Sequence, residues 1–159
     1  MSLTKIDHVA IEVADLDYYI ERLVGTGGMR LLRRATAKRT GARMAMVGDP
    51  TGMKLELIEN RDAVGTVPRF LHVAFRSGDV DAMATSLVDK GWKWERGPID
   101  LEDAQARSVL LSDARGFELQ VLTYQPTSPD VVEWSGAPTE EFPRRSARGA
   151  GADGDEHDT

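Results

Sequence analysis

Lys5-Ile6-Asp7-His8-Val9-Ala10-Ile11 is followed, later in the chain, by Arg69-Phe70-Leu71-His72-Val73-Ala74-Phe75. The two histidines stand 72 − 8 = 64 positions apart, and the same offset carries Asp15 onto Asp79, Leu16 onto Val80 and Asp17 onto Asp81. Self-similarity at one period marks a structural unit used twice. Further on, Val47-Gly48-Asp49-Pro50-Thr51-Gly52 resembles Leu111-Ser112-Asp113-Ala114-Arg115-Gly116. Each turn leads into a strand with a glutamate, Leu55-Glu56-Leu57 and Phe117-Glu118-Leu119. Aligned on those glutamates, the halves differ in spacing by two residues, which a turn can absorb.

Each unit reads as strand, helix, then several strands. Ile6–Val13 is short and β-rich. Asp15 or Asp17 caps a helix through Tyr18, Tyr19, Ile20, Leu23 and Val24, which Gly25, Gly27 and Gly28 stop. In the second unit Asp79 is the N-cap, and Val80, Met83, Leu87 and Val88 fall on one helical face before Gly91. The spacing predicts further strands at Arg30–Ala35, Arg43–Val47, Lys54–Ile58, Trp92–Glu95, Ala106–Ser112 and Phe117–Thr123. From about Gln125 four prolines break the pattern, and Arg144–Thr159 is Gly, Ala and charge. That tail reads as mostly disordered, with Trp134 and Phe142 as possible anchors and His157 outside the chemistry.

Strand alternation puts residues i, i+2 and i+4 on one face. Val9, Ile11 and Val13 share a face, and His8 and Ala10 lie opposite. Leu71, Val73 and Phe75 leave His72 and Ala74 opposite, while Leu55 and Leu57 flank Glu56, and Phe117 and Leu119 flank Glu118. Four strands thus turn apolar faces toward helices and His, Glu, His, Glu toward the hollow of a curved sheet. Two imidazoles and two carboxylates suit a divalent metal such as Zn, Ni, Co or Mn, and strands hold such ligands rigidly. A lone strand histidine is more often structural. Recurrence at the repeat offset, with a glutamate following each time, favours a site.

The bulk composition narrows the function classes. The 159 residues allow one compact domain or two very small fused halves, and 41% hydrophobic with 29% charged residues is globular composition. A net charge of -6 argues against a broad nucleic-acid surface. No apolar run is long enough to cross a bilayer, and no signal pattern opens the chain, so a cytoplasmic location is expected. Without cysteine, disulfides, thiolate ligands and cysteine nucleophiles are excluded.

Asp7-His8-Val9-Ala10-Ile11, Leu55-Glu56-Leu57-Ile58, Leu71-His72-Val73-Ala74 and Gly116-Phe117-Glu118-Leu119 together resemble the vicinal-oxygen-chelate superfamily. It includes glyoxalase I, methylmalonyl-CoA epimerase, extradiol dioxygenases, cyclitol epimerases and antibiotic-resistance proteins. The resemblance covers roughly residues 4–124. It implies an α+β fold of two tandem βαβββ modules, 4–60 and 68–124, forming a cupped mixed sheet around a metal site. By matching position the metal ligands are His8, Glu56, His72 and Glu118. In the superfamily's isomerases a proton next to a carbonyl is moved through a metal-stabilised enolate, because a cation is a Lewis acid where negative charge grows. Glu118 is then the first candidate base and Glu56 its partner on the opposite side.

Competing readings are a glyoxalase I-type (lactoylglutathione lyase) activity and a non-catalytic drug-binding protein of the same fold. The stretch Ala37-Lys38-Arg39-Thr40-Gly41 has no carboxylate where methylmalonyl-CoA epimerases carry a catalytic glutamate, and Glu56 replaces their usual glutamine. Arg76, Met46 and Ser108 are candidate contacts to a small carbonyl substrate. The basic residues Arg30, Arg33, Arg34, Lys38, Arg39 and Arg43 would suit an anionic substrate such as a CoA or glutathione conjugate, but read more readily as a solvated strand pair and turn. A homodimer is expected, since such modules pair within or across chains.

Overall fold

The computed structural model describes residues 2–62 and 67–131. Eight strands and two helices follow the chain as β1 (Lys5–Val13), α1 (Leu16–Ile20), β2 (Arg30–Thr36), β3 (Arg43–Gly48), β4 (Lys54–Glu59), β5 (Arg69–Arg76), α2 (Val80–Val88), β6 (Lys93–Leu101), β7 (Ala106–Ser112) and β8 (Glu118–Tyr124). This is the two-module α+β architecture. The strands form one mixed sheet in the order β2-β3-β4-β1-β5-β8-β7-β6, with the antiparallel β1–β5 pair joining the modules at its centre.

Both helices begin where the sequence places their caps. Asp15 accepts from the Tyr18 backbone N–H and Asp79 from that of Ala82, each satisfying an otherwise orphaned donor. A second acidic side chain helps the first helix, because Glu59 Oε2 accepts from Leu16 N at 3.0 Å. After Ile20 the helix widens into a π-helical stretch, Glu21–Thr26, closed by Gly27 N donating to Arg22 O. α1 buries Leu16 and Ile20 against Val13, Ala45 and Leu57, and α2 buries Val80, Met83 and Ala84 against Val109, Leu111, Leu119 and Val121. Each fully buried leucine of these cores contributes about 1.5–3 kcal/mol over its exposed state.

Lys38 in the β2–β3 turn meets Glu102 in the β6–β7 turn at 2.5 Å, although β2 and β6 occupy opposite edges of the sheet. The sheet therefore curls until its edges approach, and the face away from the helices becomes a cup.

One expectation is corrected. β6 is longer than Trp92–Glu95 and runs to Leu101, because register shifts on either side of Arg96 let pairing with β7 continue past Pro98. Within the extension that begins at Gln125, residues 125–131 are packed. Ser128 Oγ donates to Ala104 O at 2.5 Å, and Ser128 and Asp130 are buried. The rest of the tail, with Trp134, Phe142 and His157, lies outside the described residues.

Candidate metal centre

Strand pairing sets the cup-facing side chains in rungs. One rung runs Met46, Glu56, Ala10, His72, Glu118, Ser112 across β3, β4, β1, β5, β8 and β7. The next runs Gly48, Lys54, His8, Ala74, Gln120, Leu110. These rungs hold His8, Glu56, His72 and Glu118, but the second module aligns with the first differently from the alignment expected. His8 pairs across to Lys54 and His72 to Glu118, so the offset of 64 holds unbroken through the last strands. Glu56 is thereby repeated by Gln120, and Glu118 is the repeat of Lys54 (120 − 56 = 64; 118 − 54 = 64). The two-residue gap assumed between the modules does not exist.

Three ligand-bearing side chains converge. The nearest ligand atoms of His8, Glu56 and His72 all lie within 4.8 Å of one another. Glu56 Oε2 is 3.4 Å from His8 Nε2 and 3.6 Å from His72 Nε2, and the two rings stand edge to face at 5.6 Å. Glu118 is not part of this cluster. Among the described residues, the buried side-chain polar atoms without a hydrogen-bond partner are His8 Nε2, His72 Nε2 and Gln120 Oε1. A buried polar atom without a hydrogen-bond partner is costly, and three on one face of the cup are what a cation would satisfy once His8 gives up its proton. The residues fit a divalent ion held by two imidazoles, one carboxylate and one amide oxygen.

The surrounding polar groups aim these atoms. Asp7 is the extra residue of a bulge between Ile6 and His8, which points its carboxylate to the same side as His8. Its Oδ2 takes the hydrogen bond of His8 Nδ1 at 2.8 Å, which leaves Nε2 for a metal. Asp7 also accepts from Tyr124 Oη at 2.7 Å and Arg76 Nε at 2.7 Å, and lies 3.0 Å from Lys54 Nζ. Arg76, expected to meet substrate, is thus engaged by Asp7 and lies over the Tyr124 ring. Ser108 holds Gln120 by accepting from its Nε2 at 2.8 Å, so that Oε1 is left facing the cup. Met46 is buried beside Glu56 on its rung. Arg33 is buried rather than solvated. Its Nε is shared by both Asp130 oxygens at 2.9 and 3.0 Å, and its Nη2 stands 3.9 Å from Glu56 Oε1.

Burial by itself would lower the His8 pKa, but the Asp7 hydrogen bond and then Glu56 outweigh it and raise it to about 9. Burial lowers His72 to about 4, with the charges of His8 and Arg96 adding to the effect against the pull of Glu56. Glu56, which burial would raise, is brought down to about 2 by His8, His72 and Arg33. Asp7 stays well below the ordinary carboxylate range, since its bonds to His8, Lys54 and Arg76 overcome burial. The centre is asymmetric: one histidine carries a carboxylate behind it and the other has Leu71 at the equivalent bulge.

Residues 7–110 match the model of the glyoxalase/bleomycin resistance protein/dioxygenase superfamily. The chain belongs to that superfamily. No curated protein sequence matches it significantly. Among solved structures, a variant of Streptomyces coelicolor methylmalonyl-CoA epimerase bound to 2-nitronate-propionyl-CoA is 28% identical, with a TM-score of 0.65 over 77% of this chain and 99% of that one. Mycobacterium tuberculosis methylmalonyl-CoA epimerase is 28% identical, with a TM-score of 0.63 over 78% of this chain and 90% of that one. A Bacillus halodurans protein at 18% identity and a TM-score of 0.65 shares the fold. The vicinal-oxygen-chelate resemblance read from the motifs is therefore correct.

Sequence alone gives no site role to Asp7, Lys54, Gln120, Tyr124 and Asp130, and places Arg33 only in a basic cluster. The repeat offset, followed strictly, was the one signal that pointed to Gln120. Asp130 had none, because its partner Arg33 lies 97 positions away.

Proposed function

We propose that this protein is a divalent-metal-dependent isomerase or epimerase that moves a proton next to a carbonyl of a small substrate, an acyl-CoA thioester being the first class to test. The observation that carries this is the pair of unpartnered histidine nitrogens converging on Glu56, in a fold shared with methylmalonyl-CoA epimerases at 28% identity. His8, Glu56 and His72 would hold the ion, with Gln120 Oε1 as fourth donor in the position first assigned to Glu118. When bound, Zn, Ni, Co or Mn supplies Lewis acidity toward a substrate carbonyl oxygen.

The chain's own residues account for the proton. Glu56 is ionised at neutral pH and is the carboxylate nearest the centre, so it is the candidate base on one side. Gln120 cannot take a proton. On the rung that holds Glu56, the second carboxylate is Glu118, beyond Ala10 and His72. Removal on one face and return on the other, as epimerisation needs, is thus assigned to Glu56 and Glu118. Met46 and Leu110, the larger apolar members of the two rungs, would keep water from the reacting carbon.

The test is deuterium exchange followed by NMR, with metal-loaded protein and a panel of acyl-CoA thioesters, hemithioacetals and cyclitol ketones. In E56Q exchange beside a carbonyl should be lost for the stereoisomer that Glu56 deprotonates, and inversion with it. In E118Q exchange of one stereoisomer should persist while inversion is lost. A glyoxalase I-type reaction predicts exchange with hemithioacetals alone, and sequestration of a drug predicts none with any substrate. We further propose a homodimer, which sedimentation equilibrium showing only monomer would refute.

A further inference from the structure

We propose that Asp130 is a positioning residue of the metal centre, keeping the buried Arg33 from claiming the Glu56 carboxylate. The inference rests on the metal-centre reading above. It starts from the segment after β8, which lies beyond residues 7–110 of the superfamily match. Gln125 N donates to Gln105 O at 2.8 Å and Ser128 Oγ to Ala104 O, tying the segment to the β6–β7 turn. It then reaches the other module, where Asp130 O accepts from Lys54 Nζ at 2.8 Å and its carboxylate takes Arg33 Nε. A strap so joins two edges of the curled sheet.

Arg33 pairs with Met46 on β3, and Met46 with Glu56 on β4, so the guanidinium lies on the cup face two strands from the centre. Its side chain is 8% exposed and that of Asp130 1%. A buried guanidinium without an anion turns to the closest one within reach. Here that is Glu56, whose Oε1 is already 3.9 Å from Nη2. An Arg33–Glu56 pair would compete with an incoming cation for the one carboxylate that faces both histidines. Asp130 removes the competition in two ways. It neutralises the charge, and it holds the guanidinium through Nε, so that Nη2 stops short of hydrogen-bond distance. The Asp7 carboxylate cannot substitute for it, being taken by His8, Arg76, Tyr124 and Lys54.

The experiment is a calorimetric titration of zinc chloride into the full chain and the variants D130N, D130E, R33M and R33M/D130N. D130N should bind about 10–100-fold more weakly, the usual loss when a group supporting a metal ligand is removed. D130E should recover most of that affinity. R33M/D130N should return to within about threefold of the wild type, because without Arg33 there is nothing for Asp130 to restrain. A merely structural strap predicts no rescue by R33M. D130N binding as tightly as the wild type, or R33M/D130N as weakly as D130N, overturns the assignment. If circular dichroism shows D130N unfolded, R33M/D130L replaces it: binding at least as tight as the wild type is expected, and a loss beyond about tenfold overturns the assignment. Wild-type protein that takes up no Zn, Ni, Co or Mn overturns the metal-centre reading and this assignment with it. A metal-binding wild type with an indifferent D130N overturns the assignment alone.

Discussion

Loading the centre with metal at neutral pH should release one proton, and the structure says which. A ligand must shed its proton before it binds a cation. Glu56, near 2, and His72, near 4, are already in their binding forms at pH 7. His8 is not, because Asp7 and Glu56 hold its pKa near 9. Two pH units below that value, deprotonation weakens apparent affinity about a hundredfold. Apparent affinity should therefore climb about tenfold per unit from pH 7 to 9 and level off above. Zinc titrations at pH 7 in buffers of different ionisation enthalpy count the protons directly. Replacing Asp7 by Asn removes the foremost influence raising His8, so the count at pH 7 should fall to a fraction. A wild-type count near zero, with affinity flat between pH 7 and 9, would refute the reasoning.

Other outcomes follow from the same contacts. Q120A should weaken zinc binding while E118A leaves it within about threefold of the wild type, since only Gln120 has an orphaned oxygen at the cluster. S108A should weaken it less than Q120A, as Gln120 keeps its oxygen but loses the bond that orients it. L111A, a fully buried site under α2, should cost about 2–5 kcal/mol in urea unfolding without changing proton release. Asp7 is held below its ordinary pKa of 3.8, so its contribution to stability is full above that value and disappears as pH falls through its lower folded value. Acid unfolding monitored by circular dichroism should accordingly begin at higher pH in D7A than in the wild type.

The mismatch between Glu118 and Gln120 as the repeat of Glu56 has a physical origin. Side chains alternate along a strand with a period of two, so a one-residue slip turns every residue to the wrong face. A two-residue slip turns none of them. Aligning Glu118 with Glu56 kept the apolar pattern intact on β8, and nothing in local periodicity objected. The backbone ladder does object, because His72 pairs with Glu118 as His8 pairs with Lys54. The amide at Gln120 concealed the true repeat by replacing a carboxylate. β6 was cut short for a related reason. Gly97-Pro98 reads as a strand stop, and only pairing with β7 shows that bulges carry the strand beyond it.

The sequence by itself determined the two-module plan, the helix caps at Asp15 and Asp79, and the face on which His8, Glu56 and His72 lie. These follow from local rules, namely cap chemistry and the alternation of side chains, that act within a few residues. Tertiary structure alone decided which side chains share a rung, that Asp7 stands behind His8 while Leu71 holds the matching place near His72, and that Asp130 meets Arg33. Those relations depend on register, on a bulge, and on a curl that brings opposite sheet edges together. Each arises from pairing between distant strands, where periodicity gives a face but not a position along it.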